Sequence, residues 1–235
     1  MRWFGAELPR RLFLLAMLAG AGLITASSLA YFDPETLPPF VLEKLPVRFE
    51  SLWLASLRVH VAAALLALPL CIALMTRAVR RRAAWHRGLG RLAGGIVLVA
   101  LVPSGVVLAF DAKGGGVVTA GFLVSAAIVA GCMVSGILAA RRRAFSAHGR
   151  AMRHVFAQMS VAVTSRALLF ALDRVDVSPD VAYVVALWAP VLASAAIAEL
   201  LSRPATARRS RHESSPIASL VRVPARTRAV ARLGR

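Results

Sequence analysis

Six apolar runs of about twenty residues, separated by short polar links, set the limits on what this chain can fold into. They lie near 12–31, 52–76, 92–110, 117–140, 152–172 and 181–201. A helix rises about 1.5 Å per residue, so about twenty residues cross the ~30 Å hydrocarbon core of a bilayer. A helix also satisfies its own backbone N–H and C=O groups, which makes hydrocarbon a tolerable solvent for it. Composition agrees, because only 17% of the residues are charged, where a soluble domain carries roughly 25%. The expected fold class is all-α integral membrane, a bundle of six transmembrane helices.

The chain is basic, with a net charge of +18. Three Arg precede the first run, eleven occupy the links at 77–91 and 141–153, and nine follow the last run. All these segments fall on one side of a six-span arrangement. The opposite links hold Lys44, Arg48, Lys113 and Arg174 with most of the acidic residues. Lys and Arg are retained at the cytoplasmic face, so both termini are expected to be cytoplasmic, in an inner (plasma) membrane. So basic a balance can also signal nucleic acid. Here the Arg stand between spans and in the tail, not on an amphipathic recognition helix, so no nucleic acid is expected. The expected partners are the lipid bilayer, with anionic lipids at its cytoplasmic face, and another membrane protein.

Residues 1–51 read as an N-terminal anchor helix and an extracytoplasmic loop. Pro34, Pro38, Pro39 and Pro46 forbid a continuous helix in that loop. The basic start and Ser28-Leu29-Ala30 also fit a cleaved signal, but the apolar length favours an anchor. Trp3 and Trp53 stand near span ends, where an indole suits the headgroup layer. Residues 52–172 read as a core four-helix membrane domain, 173–201 as the sixth transmembrane helix, and 202–235 as a flexible polybasic cytoplasmic tail. Gly121, Ser125, Gly131, Ser135 and Gly136 give the fourth span small faces that allow close helix contact. Cys71 and Cys132 have neither zinc nor redox spacing and read as small buried hydrophobes.

The two basic links resemble each other. Each has three Arg, then Ala, then a His a few residues on. Cys71 lies nine residues before Arg80, and Cys132 nine before Arg141. A parallel duplication of helical hairpins, as some transporters have, explains the pattern. Chance in a chain rich in Ala, Val, Leu and Arg explains it too.

A charge at the centre of a bilayer costs roughly 2.5–3.5 kcal/mol on insertion scales, so each intramembrane ionisable residue needs a reason. Arg166 lies about 20 Å along the fifth helix from Arg153, in the outer third of the bilayer. Arg58 and His60 stand at a similar depth on the second span. These three form an outer polar site, with Asp111 or Asp173 as acidic partner, suited to an anion, a quinone carbonyl or a lipid headgroup. Snorkelling Arg with local pairing is the plainer alternative. His154, Gln158 and Ser165 share one face of the fifth helix. That stripe lines a site or supplies interhelical hydrogen bonds.

On the basic side, His86, His148 and His154 could converge. His86 with His154 could serve as axial ligands of a haem b. The His spacing does not suit a metal ion, and no metal site is assigned. Interfacial His and Arg that bind lipid phosphate and cap helix ends are the plainer reading. No P-loop, nucleophile elbow or His-Glu-x-x-His motif occurs, so no catalytic residue and no cofactor is assigned.

His60, His86-Arg87-Gly88-Leu89-Gly90-Arg91, Ser104-Gly105, Gly115, Gly121-Phe122, His148-Gly149-Arg150-Ala151-Met152 and Arg166 stand in a familiar order. That pattern resembles a bacterial predicted membrane-protein family catalogued as domain of unknown function 2306. The resemblance covers about 58–172, four of the six spans. The family tends to have Arg after the second-turn His and Trp before the Met, where this chain has Gly149 and Ala151. The resemblance implies a multi-span bacterial membrane protein and no particular reaction. It groups His60, His86, Arg87, Arg91, His148 and Arg150 as one functional set. The expected function is non-catalytic binding of a ligand, lipid or partner through these His and Arg. The alternatives are a haem- or quinone-binding redox protein and a small-molecule transporter.

Overall fold

A computed structural model describes residues 4–33 and 38–202 of the chain. Trp3 and the tail expected from 203 onward lie outside the described residues. The described residues up to Glu199 make one compact unit. The chain opens with α1 (Phe4–Ser28), which ends in a 3-10 turn at Leu29–Phe32, and continues with α2 (Pro39–Lys44), α3 (Glu50–Met75) and α4 (Arg77–Arg81). α5 (Ala83–Gly95) passes through a π-helical turn at Ile96–Leu101 into α6 (Val102–Ala109). Then come α7 (Gly115–Arg141), α8 (Phe145–Asp173) and α9 (Pro179–Ser202). The described residues contain no strand. Six helices are long and apolar enough to cross a bilayer, with α5, the π turn and α6 counting as one. The chain is thus an all-α polytopic membrane protein, as the apolar rhythm predicts.

The boundaries differ from expectation at the basic links. The third crossing starts at Ala83, not near 92, and α8 starts at Phe145, not near 152. Both links are mostly helix, because Arg, Ala and Leu are good helix formers. The breaks between helices are short. Thr76 makes the first: its hydroxyl donates to the Ala73 carbonyl at 2.6 Å and accepts from the Val79 N–H at 3.4 Å. One residue thereby closes α3 and caps α4. After α7, Arg143 takes a left-handed conformation with φ 58°. Its N–H bonds the Ala140 carbonyl at 3.1 Å, and the Ala144 N–H bonds Ala139 at 2.9 Å. This pair of bonds is a Schellman cap, which satisfies two of the orphan carbonyls at a helix end. At the other end of α7, Gly114 with φ 94° makes the turn that a side chain would resist.

The helices pack through small side chains. Lipid tails are as apolar as the residues themselves, so close van der Waals fit must hold the bundle. The main cluster joins Met17 and Ala21 of α1 to Ala67, Leu68 and Cys71 of α3 and Val155 and Met159 of α8. A Cβ on Gly20 would collide with Val163, and one on Gly121 would lie 2.7 Å from Leu187. Gly136 packs on Met152 and Ala151 in the same way. Gly131, by contrast, has open space around it, and Ser135 is exposed, so the small face of α7 is used only in part. Outward-facing Leu23, Val99 and Phe110 are 73%, 78% and 69% exposed, a surface made for lipid.

Two sets of contacts define the ends of the bundle. At one, the Arg10 guanidinium donates to the Met75 carbonyl, so the basic start of α1 meets the first basic link. At the other, Lys44 donates to the Asp111 carbonyl. The Trp188 indole N–H bonds Val117 at 3.0 Å at that same end. Trp53 is a correction: it is 3% exposed, packed with Val41 and Leu57 inside the protein, not spread in the headgroup layer.

Candidate functional site

Near the end of the bundle away from the basic links, α1, α3 and α8 leave a cavity of about 90 Å³. Its polar lining is Thr25, Ser28, His60 and Arg166, and the remaining walls are apolar. By volume it holds about three waters, or one small polar group. Pro69 has no N–H to offer, which frees the Leu65 carbonyl from its helical bond. Both residues line the cavity.

His60 is set in place from α6. Its Nδ1–H donates to the Leu101 carbonyl at 3.2 Å, and the same nitrogen lies 3.3 Å from the Ser104 hydroxyl. Ser104 in turn donates to the Ala100 carbonyl at 2.6 Å. These acceptors belong to the π-helical turn, a rare widening of the helix that often accompanies functional sites. Pro103, which cannot donate a backbone bond, stands two residues after the turn's end. Gly105 lets the ring come close, since a Cβ there would lie 3.0 Å from His60 Cε1. With Nδ1 committed to the backbone, Nε2 is left as the ring atom open to a ligand.

Arg166 enters from α8, where its guanidinium donates to the Ala162 carbonyl at 2.8 Å. That bond occupies one donor of the five it carries. It engages neither Asp111 nor Asp173, the acidic partners expected from sequence. It lines the same cavity as His60. Arg58 is exposed and does not line the cavity. Two of the three residues expected at the outer site therefore share one cavity. Thr25 and Ser28 join them in the lining unpredicted, and Ser104 supports His60 from α6. Only the Pro103-Ser104-Gly105 triplet inside an apolar run could have signalled this support.

Deeper in α8, Gln158 is buried. Its amide donates to the Val191 carbonyl at 3.1 Å and to the Ser194 hydroxyl at 3.0 Å, and its oxygen accepts from Ser125 at 3.0 Å. All three bonds go to α7 and α9, so this side chain is an interhelical strut. One turn away, His154 Nε2 lies 3.4 Å from a Glu199 carboxylate oxygen.

At the basic end, His86 and His148 meet, with ring centroids 6.3 Å apart and planes at 90°. The sequence reading put His86 with His154 for a haem, but His154 has Glu199 for a neighbour instead. His148 Nδ1–H donates to the Gly136 carbonyl at 2.9 Å. His86 Nδ1 is shielded and has no hydrogen-bond partner. Arg87, Arg91 and Arg150 are exposed on the same two helices, α5 and α8. No group of three His, Cys, Asp or Glu that could hold a metal ion occurs among the described residues.

Fold and side chains together define a multi-pass helical membrane protein with His and Arg polar sites at two depths. The chain belongs to the family described as predicted membrane protein (DUF2306), whose model matches residues 57–202. The match runs past the four spans expected and takes in α9, while α1 lies outside it. No curated protein and no solved structure matches the chain.

Proposed function

We propose that this protein binds, without transforming it, a small amphiphile within the membrane. The polar head enters the cavity between α1, α3 and α8, and the apolar remainder lies in lipid. The observation that carries this reading is the convergence of His60 and Arg166 on one cavity whose walls, apart from Thr25 and Ser28, are apolar. A guanidinium and an imidazole in one lining favour an anionic head, carboxylate or phosphate, through charge-assisted hydrogen bonds. The cavity admits only the head, which is why the ligand must be amphiphilic. A quinone is the second reading, because its carbonyl can take the same two donors. The arginine distribution supports an inner-membrane location with both termini in the cytoplasm, which puts the cavity in the outer half of the bilayer.

The test is mass spectrometry of small molecules that copurify with the full chain. A fatty acid, lipid or quinone retained near one per protein, and reduced about tenfold in His60→Ala and Arg166→Ala, is the expected result. Equal retention by folded variants and native protein would sink the reading. The identity of the retained molecule separates amphiphile from quinone.

A further inference from the structure

The structure carries a second polar site, independent of the cavity. His86 is the fourth residue of α5, and His148 the fourth residue of α8. Each closes the first turn of its helix by the same backbone bond, from His86 N–H to Arg82 at 2.9 Å and from His148 N–H to Ala144 at 3.0 Å. Each follows a run of three Arg, Arg80 to Arg82 and Arg141 to Arg143. The two hairpins thus place equivalent histidines at equivalent helix positions, and the bundle brings these two together.

We propose that this His86–His148 pair, with the arginines around it, binds a phosphate group. Three features point to an anion. Arg80 is near enough for its charge to act on His86, and Arg87, Arg91 and Arg150 are exposed on the same two helices. A cation would enter that positive field with only two imidazoles to hold it, which argues against a metal ion. His86 Nδ1 is shielded and makes no hydrogen bond, so Nε2 is the ring nitrogen left to meet a ligand. His148 is oriented by the Gly136 carbonyl, so its second nitrogen points where the backbone bond dictates. Phosphate offers several acceptor oxygens, enough to take ring N–H donors from both histidines and a guanidinium at once. The phosphate belongs either to an anionic lipid of the nearer leaflet or to a soluble phosphate compound.

The experiment uses the full chain in nanodiscs, with histidine ring nitrogens followed by NMR. Phosphatidylglycerol is compared with phosphatidylcholine, and inorganic phosphate is titrated separately. Lipid retention by native mass spectrometry is measured for the native chain, His86→Gln and His148→Gln. If the site takes a lipid, phosphatidylglycerol shifts both ring signals, and each variant retains about tenfold less of it. The double variant loses no more than either single one, because the pair is one site. If the ligand is soluble, inorganic phosphate shifts both signals and lipid retention is unchanged. The proposal is overturned if neither phosphate source moves the histidine signals of the native chain, a result that does not depend on any variant folding.

Discussion

A histidine in hydrocarbon is useful only if something aims it. His60 is aimed by the Leu101 carbonyl on one side and by the absence of a side chain at Gly105 on the other. Gly105→Ala should push the ring away from the π turn and reduce ligand retention as His60→Ala does, with little change in unfolding by SDS. Gln158 is the contrasting case. Gln158→Leu should lower stability by roughly 1–2 kcal/mol, at about 0.6 kcal/mol for each of three lost bonds, with ligand retention intact. Comparing SDS unfolding with ligand retention separates the two roles. His60 and Arg166 could be read from the sequence because the bilayer makes their presence expensive. The partners that orient them could not, because they are backbone carbonyls, and every residue has one. For the same reason the sequence could not show that His86 meets His148 and not His154.

Helix ends were the less legible elements. The apolar runs fixed where hydrocarbon begins, but helices do not stop where it does, so α5 and α8 begin several residues earlier within the basic links. The break after α7 illustrates the local physics. A non-glycine residue in the left-handed region costs roughly 1–2 kcal/mol, and Arg143 bears that cost at the position where Schellman caps prefer glycine. Arg143→Gly should therefore stabilise the protein by about 1 kcal/mol, less the entropy glycine adds to the unfolded chain. Thermal unfolding in one detergent would register it. No change or a loss would mean that the arginine side chain contributes more than its backbone costs.

At the scale of the whole molecule, the spacing and number of apolar runs were enough to give six spans, since little else in a 235-residue chain can satisfy its backbone in lipid. The proposed topology puts Phe4 and Ser202 on one side, where the Arg10–Met75 contact gathers two basic segments. Fusing alkaline phosphatase after Lys113 should give active enzyme, and fusing it after Arg143 should give none. The opposite pattern would invert the orientation and move the cavity to the inner half of the bilayer. How the six helices sort into contacts was not legible, because a chain of Ala, Val and Leu offers many near-equal pairings. Single glycines, such as Gly20 under Val163, decide among them.

The cavity between α1, α3 and α8 has one further consequence. His60 and Arg166 lie within the stretch matched by the family model, whereas the α1 wall, including Ala21, Thr25 and Ser28, lies before it. The wall that α1 adds to the cavity is thus drawn from a part of the chain that the family model does not reach, while its imidazole and guanidinium come from the part it does.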